Sequence, residues 1–280
     1  MGGSTEILVD GLAFPETPRW HDGRLWFTDQ FARQVRTVSP EGEFEVALEL
    51  DDRVGGLGWM PDGSLLVVSM GKRHLYRVNG GVELHSDLSS LAAHECNDMV
   101  VDGSGTAYVG HFGFDLAGGA DPAPTSVLMV TPDGAASVAA ENVIFPNGLV
   151  IEPGGGRLIV AETFAARVSA FAIQDDGRLG ARTRWAQLDE ETTPDGICLD
   201  AQGAVWVASF GTGEVLRLAE GGERLETIRP HGTPYACMLG GEARNTLYIA
   251  TSENDDPSKP ELRTGHIETA EVSVPGAGLP

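Results

Sequence analysis

Glu16, Asn97, Asn147 and Asp195 carry side-chain oxygens and stand at equivalent places in a pattern that recurs along this chain. Two carboxylates and two amides, with no histidine or cysteine among them, form a donor set suited to a hard divalent cation. Each residue also has a plainer reading. Pro194-Asp195-Gly196 and Pro146-Asn147-Gly148 resemble turns, Asn97 a solvated loop residue, and Glu16 a surface acid. For Asp195 the plain reading fails, because a hairpin turn follows at Asp200-Ala201-Gln202-Gly203 and leaves Asp195 at the start of a strand. Shared register, more than any one residue, argues for a single site.

That register comes from an internal repeat. A short apolar strand, a tight turn and a second strand rich in aromatic and β-branched residues recur, with turns at Asp22-Gly23, Asp62-Gly63, Asp102-Gly103, Gly155-Gly156, Gln202-Gly203 and Arg244-Asn245. A period of about 40 to 50 residues is that of a four-stranded propeller blade. The expected fold is therefore all-β, a six-bladed β-propeller occupying residues 1–280 as one domain, with helices minor. Third and fourth strands are expected at 34–38 with 44–48 and at 215–218 with 225–228. Residues 6–9 should pair near 267–274 and close the ring.

Innermost propeller strands surround a central channel, so the residues that open them meet at the axis. In sequence register this column reads Glu16, Gly56, Asn97, Asn147, Asp195 and Tyr235. A second column, where the next strand returns to the same end, reads Asp29, Met70, His111, Glu162, Ser209 and Thr251, expected as a wider ring around the cation.

Composition narrows the partners. Acidic residues outnumber basic ones 41 to 19, a net charge of -22, which disfavours nucleic acid and anionic membranes and leaves a small molecule as the expected ligand. The 37 Gly and 16 Pro suit many short strands and turns. Cys96, Cys198 and Cys237 lie in apolar runs and are an odd number, so reduced, buried thiols and a cytoplasmic location are expected. The N-terminal residues show no basic-then-apolar leader, and no run is long and apolar enough to span a bilayer. Oligomeric state is left open.

A cation held by the axial cluster would polarise a bound substrate for attack by water, the chemistry of metal-assisted hydrolysis. Calcium suits a roomy, irregular oxygen site best, with magnesium, zinc and manganese as alternatives. Asp195 is the candidate general base, with His111 in reserve and Glu162 as a further proton-transfer group. Tyr235 is a candidate substrate contact, and Phe14, Phe145, Phe164 and Phe210 are candidate walls. No Gly-x-Ser-x-Gly elbow is present, which argues against a serine triad. Phosphotriester cleavage and lactone isomerisation are open to the same site. A WD-type binding platform is disfavoured, since no Trp-Asp dipeptide closes a blade.

At Phe14-Pro15-Glu16, Asn97-Asp98, Phe145-Pro146-Asn147-Gly148-Leu149 and Pro194-Asp195-Gly196-Ile197-Cys198-Leu199-Asp200 the chain resembles the SMP-30/gluconolactonase/luciferin-regenerating-enzyme-like family. The resemblance implies a six-bladed propeller with one divalent metal and, in many members, hydrolysis of sugar lactones. It implies Glu16, Asn147 and Asp195 as metal ligands and Asn97 as a substrate contact or further ligand. One position departs. Where regucalcin-type members carry Arg two residues before the Asn matching Asn97, this chain has Glu95 as the candidate substrate contact, so aldonolactones should fit poorly and less hydroxylated lactones better.

Overall fold

Tight turns with a glycine in the left-handed region, such as Gly23 (φ 75°) and Gly203 (φ 79°), fold each innermost strand back on its neighbour. The computed structural model describes residues 4–277. Strands over this range form six four-stranded antiparallel sheets. Among the described residues the sole helical element is the 3-10 turn Thr163–Ala165.

The innermost strands are Pro15–His21, Val54–Trp59, Cys96–Val101, Pro146–Ile151, Pro194–Leu199 and Pro234–Gly240. Each touches the next and the last touches the first, so they enclose the axis of a six-bladed β-propeller. The expected outer strands are present as Gln34–Val38 with Phe44–Glu49 and Glu214–Leu218 with Arg224–Ile228. Closure also follows expectation: Glu6–Leu12 is the outermost strand of the sixth blade, antiparallel to Gly265–Glu271. The Thr5 hydroxyl donates to buried Glu268 at 2.6 Å and ties the start of the chain to that blade. The apolar core lies between neighbouring blades, where Trp206, Tyr248, Phe27 and Leu239 belong to one cluster. All three cysteines are free and buried. No helix among the described residues is long and apolar enough to cross a membrane.

Strand pairing corrects the expected columns in the second blade. Pro15 pairs with Asp29, Cys96 with His111, Pro146 with Glu162, Pro194 with Ser209 and Pro234 with Thr251. The same pairing joins Val54 to Ser69, so the second blade contributes Gly55 and Ser69, one residue before the expected Gly56 and Met70.

The glycines after Asn147 and Asp195 serve close approach, not turns. A Cβ on Gly148 would stand 2.5 Å from the Asp195 carbonyl oxygen, and one on Gly196 would stand 2.4 Å from the Ala236 Cβ. Neighbouring blades are therefore in tight contact beside the two residues that carry the polar side chains. Gly196→Ala is expected to cost about 1–3 kcal/mol through overpacking. Thermal denaturation of the variant measures this, and an unchanged melting temperature would contradict the tight inter-blade contact.

Candidate metal centre

Four innermost strands begin with proline: Pro15, Pro146, Pro194 and Pro234. Proline is tolerated there because the first strand residue can go without a ladder donor. Beyond it the ladder is irregular, with shifts between Glu16 and Arg19, Cys96 and Met99, Pro146 and Leu149, and Pro194 and Ile197. Bulges of this kind re-aim side chains. After Glu16 the chain passes through Thr17 at φ 44°, a left-handed conformation that is costly for a β-branched residue. There the Thr17 N–H donates to Glu16 Oε2 at 2.7 Å, and its hydroxyl donates to the Gly55 carbonyl at 3.1 Å.

Glu16, Asn97, Asn147 and Asp195 are all buried and mutually close. Asn97 Nδ2 donates to Asn147 Oδ1 at 2.9 Å. Asn147 Nδ2 in turn donates to the Thr163 hydroxyl at 3.2 Å, and that hydroxyl donates to the Pro194 carbonyl at 2.8 Å. Thr163 thereby links the strand carrying Asn147 to the strand carrying Asp195. Asp195 Oδ1 is buried without any hydrogen-bond partner.

Two charged residues that sequence reasoning did not place complete the cluster. Arg19 Nη2 reaches Asp98 Oδ1 at 2.6 Å and the Met99 carbonyl at 2.7 Å, both partners being buried. Burial, opposed by the Thr17 N–H and reinforced by the Asp98 charge, pushes the Glu16 carboxyl up to about 8. Burial and then the charges of Glu16 and Asp98 hold Asp195 well above the usual carboxylate range. Three carboxylates and one guanidinium leave a formal charge of -2 in a buried site. A divalent cation would neutralise that charge and would supply the partner that Asp195 Oδ1 lacks. The donor set fits such an ion, with Glu16, Asn147 and Asp195 as the residues to hold it and Asn97 beside them. Among the described residues no group of three or more His, Cys, Asp or Glu is arranged to hold a metal. Half of these donors are amides, and Asp98 is taken by Arg19.

The second column stands one strand out from the cluster, and its side chains are engaged in hydrogen bonds of their own. Glu162 is fully buried, and its two oxygens accept from Arg167 Nε at 2.8 Å, Arg167 Nη2 at 2.5 Å, the Ile144 N–H at 2.8 Å and the Ser169 hydroxyl. Four donors saturate it, so it is not free for proton transfer. Asp29 Oδ1 accepts the N–H groups of Ala13 at 3.1 Å and Phe14 at 2.8 Å. His111 is buried against the hydroxyls of Thr125 and Ser126, and burial, with a smaller effect of His94, lowers its pKa to about 4.

The channel mouth is aromatic. Phe14 stacks on Phe31 with centroids 4.6 Å apart and meets the Tyr235 ring at 4.7 Å, while Tyr235 stacks on Phe210 at 5.7 Å. Phe145 packs on Phe112 at 4.6 Å, Phe164 at 4.9 Å and Phe114 at 5.6 Å. Glu95, half-buried, is ion-paired with Arg53 from the preceding blade. A cleft of about 350 Å³ is lined by Arg53, Phe31 and Arg33, and another of about 280 Å³ by Glu95, Phe112 and Phe114, so the ion pair joins their walls.

A six-bladed propeller with an oxygen-donor cluster on its axis and an aromatic mouth is a small-molecule site in form. The family model of the SMP-30/Gluconolactonase/LRE-like region matches residues 14–253, and the chain belongs to that family. It is 28% identical over 278 residues to a 6-deoxy-6-sulfogluconolactonase of Pseudomonas putida, covering 95% of this chain and 93% of that one. It is 31% identical over 245 residues to regucalcin of Danio rerio, covering 85% and 82%. Among solved structures, the calcium-binding protein regucalcin of Agrobacterium tumefaciens superposes with a TM-score of 0.83 at 20% identity, over 99% of this chain and 97% of that one. The named relatives thus include a lactonase.

Because the folded, metal-free Glu16 has its pKa raised from 4.5 to about 8, the folded state binds a proton there that the unfolded chain releases. Metal-free stability therefore falls as pH rises through that window, and a cation must displace the proton. The calcium-induced rise in melting temperature is expected to grow between pH 4.5 and about 8. A rise that is independent of pH would contradict the protonated site.

Proposed function

We propose that this protein is a metal-dependent lactonase that opens a sparsely hydroxylated or apolar lactone by attack of water at the axial centre, with calcium as its ion. The observation that carries the reading is the unpartnered, buried Oδ1 of Asp195 in a cluster of formal charge -2. A divalent cation bound there supplies polarisation of the carbonyl and countercharge for the developing oxyanion. Asp195 accepts the proton of the attacking water, since its carboxylate stands within the axial cluster whereas the His111 ring is held by two hydroxyls. Asn97, fixed by its bond to Asn147, offers its free amide oxygen to the substrate or to the ion. Tyr235, braced by Phe14 and Phe210, forms one apolar wall, and the Phe145 group forms another. The free, buried thiols suit a reducing compartment, the cytoplasm.

Chelation is expected to abolish lactone hydrolysis and added calcium to restore it, whereas full activity in metal-free protein would sink the proposal. At saturating calcium, Asp195→Asn should lower kcat by about 10²- to 10⁴-fold, the usual cost of losing a positioned base. Recovery of wild-type kcat would reduce Asp195 to a ligand.

Specificity follows from the mouth. Glu95 and Arg53 neutralise each other where a polyol-binding Arg is expected, and aromatic faces line the approach. In a panel of lactones, gluconolactone should have a kcat/KM about 10-fold or more below the best alkyl-substituted lactone. Gluconolactone emerging as the best substrate would overturn this assignment.

A further inference from the structure

The prolines that open the innermost strands create a mechanical problem. Pro15, Pro146 and Pro194 have no N–H, so the sheet cannot hold these strand starts through that atom. Backbone strain adds to the problem. Phe145, just before Pro146, has φ 49°, and Thr17, just after Glu16, has φ 44°. Something upstream of each proline must fix the segment that delivers the polar residue.

In three blades that fixing comes from the same place, the last residue of the neighbouring strand. Asp29 Oδ1 accepts the N–H groups of Ala13 and Phe14, three and two residues before Glu16. Glu162 Oε2 accepts the N–H of Ile144 at 2.8 Å, three residues before Asn147. Ser209 Oγ accepts the N–H of Thr193 at 3.3 Å, two residues before Asp195. The two carboxylates are themselves held: Arg167 grips Glu162 with two nitrogens, and Arg36 lies 3.3 Å from Asp29. All three anchors are fully buried.

We propose that Asp29, Glu162 and Ser209 are positioning residues for the axial centre. Through backbone N–H groups they fix where Glu16, Asn147 and Asp195 stand, and thereby set the affinity for the cation. This inference rests on the metal-centre reading above. Outer groups that orient ligands typically change metal affinity by about 10- to 100-fold when removed.

A matched control exists in the same protein. Asp200 is buried, accepts the N–H groups of Gln202 at 2.8 Å and Ala204 at 3.0 Å, and pairs with Arg217 Nε at 2.6 Å. It is chemically like Asp29 and Glu162 but holds the hairpin turn at the opposite end of its strand from Asp195. Calcium binding is measured by isothermal titration calorimetry on the full chain, alongside metal-free melting temperature. Asp29→Asn and Glu162→Gln should weaken the calcium Kd by about 10- to 100-fold. Asp200→Asn should lower the melting temperature and leave the Kd within about 2-fold, since its anchor touches no ligand segment. Ser209→Ala removes one long hydrogen bond to the segment before Asp195, and a bond from the Thr212 hydroxyl that touches no ligand segment, and should weaken calcium in the same direction by less, which keeps the test open if a carboxamide variant does not fold. Wild-type Kd in the folded anchor variants, or an equal loss in Asp200→Asn, would overturn the positioning role. Absence of calcium binding in the wild type would instead overturn the metal-centre reading itself.

Discussion

Like-charge crowding on the propeller axis is the constraint around which this molecule is arranged. Glu16, Asp98 and Asp195 lie together out of water, and only one of the three has an internal cation, Arg19. Buried, unpaired carboxylates either take up protons or require a counter-ion. Burial raises the Glu16 and Asp195 carboxyls, so both hold protons more readily than free carboxylates do, and a bound counter-ion would favour their ionised forms instead. The inner strands are specialised for this crowding, with glycines where neighbouring backbones meet and bulges that turn the polar side chains toward the axis.

Different rules govern the mouth. Aromatic side chains from the inner strand starts and from the ends of the second strands pack in two groups, Phe14 with Phe31 and Tyr235, and Phe145 with Phe112, Phe114 and Phe164. Such surfaces hold apolar substrate through desolvation and leave orientation to a few polar groups. The Arg53–Glu95 pair reverses the charge arrangement that the regucalcin-type pattern predicts. Position 95 carries the acid, and the guanidinium reaches the mouth from the preceding blade. A change of sign at one position is thus offset by a residue 42 positions away in sequence.

The propeller was legible in the sequence because each blade repeats a local signal, a tight turn between an apolar strand and an aromatic-rich one. The axial cluster was legible because Glu16, Asn97, Asn147 and Asp195 share that register. Blade two was misread by one residue, since Gly55 and Gly56 both lack a side chain to mark the axis and Ser69 and Met70 are adjacent candidates for the return strand. The pairing of Arg19 with Asp98 escaped notice because it joins residues 79 apart, and no local pattern encodes such a contact. Glu162 looked like a free acid. Its partners, Arg167, Ser169 and the Ile144 N–H, come from strand register and a neighbouring blade, which become visible only in three dimensions.

The central claim is spatial: one divalent ion sits on the axis among these oxygens. Anomalous diffraction from crystals equilibrated with manganese tests it most directly, because the ion is located independently of any assumed chemistry. The predicted result is one strong anomalous peak per chain, bounded by the side-chain oxygens of Glu16, Asn147 and Asp195 with Asn97 beside it. No axial peak, in crystals of protein that hydrolyses lactones in the same manganese solution, would contradict it.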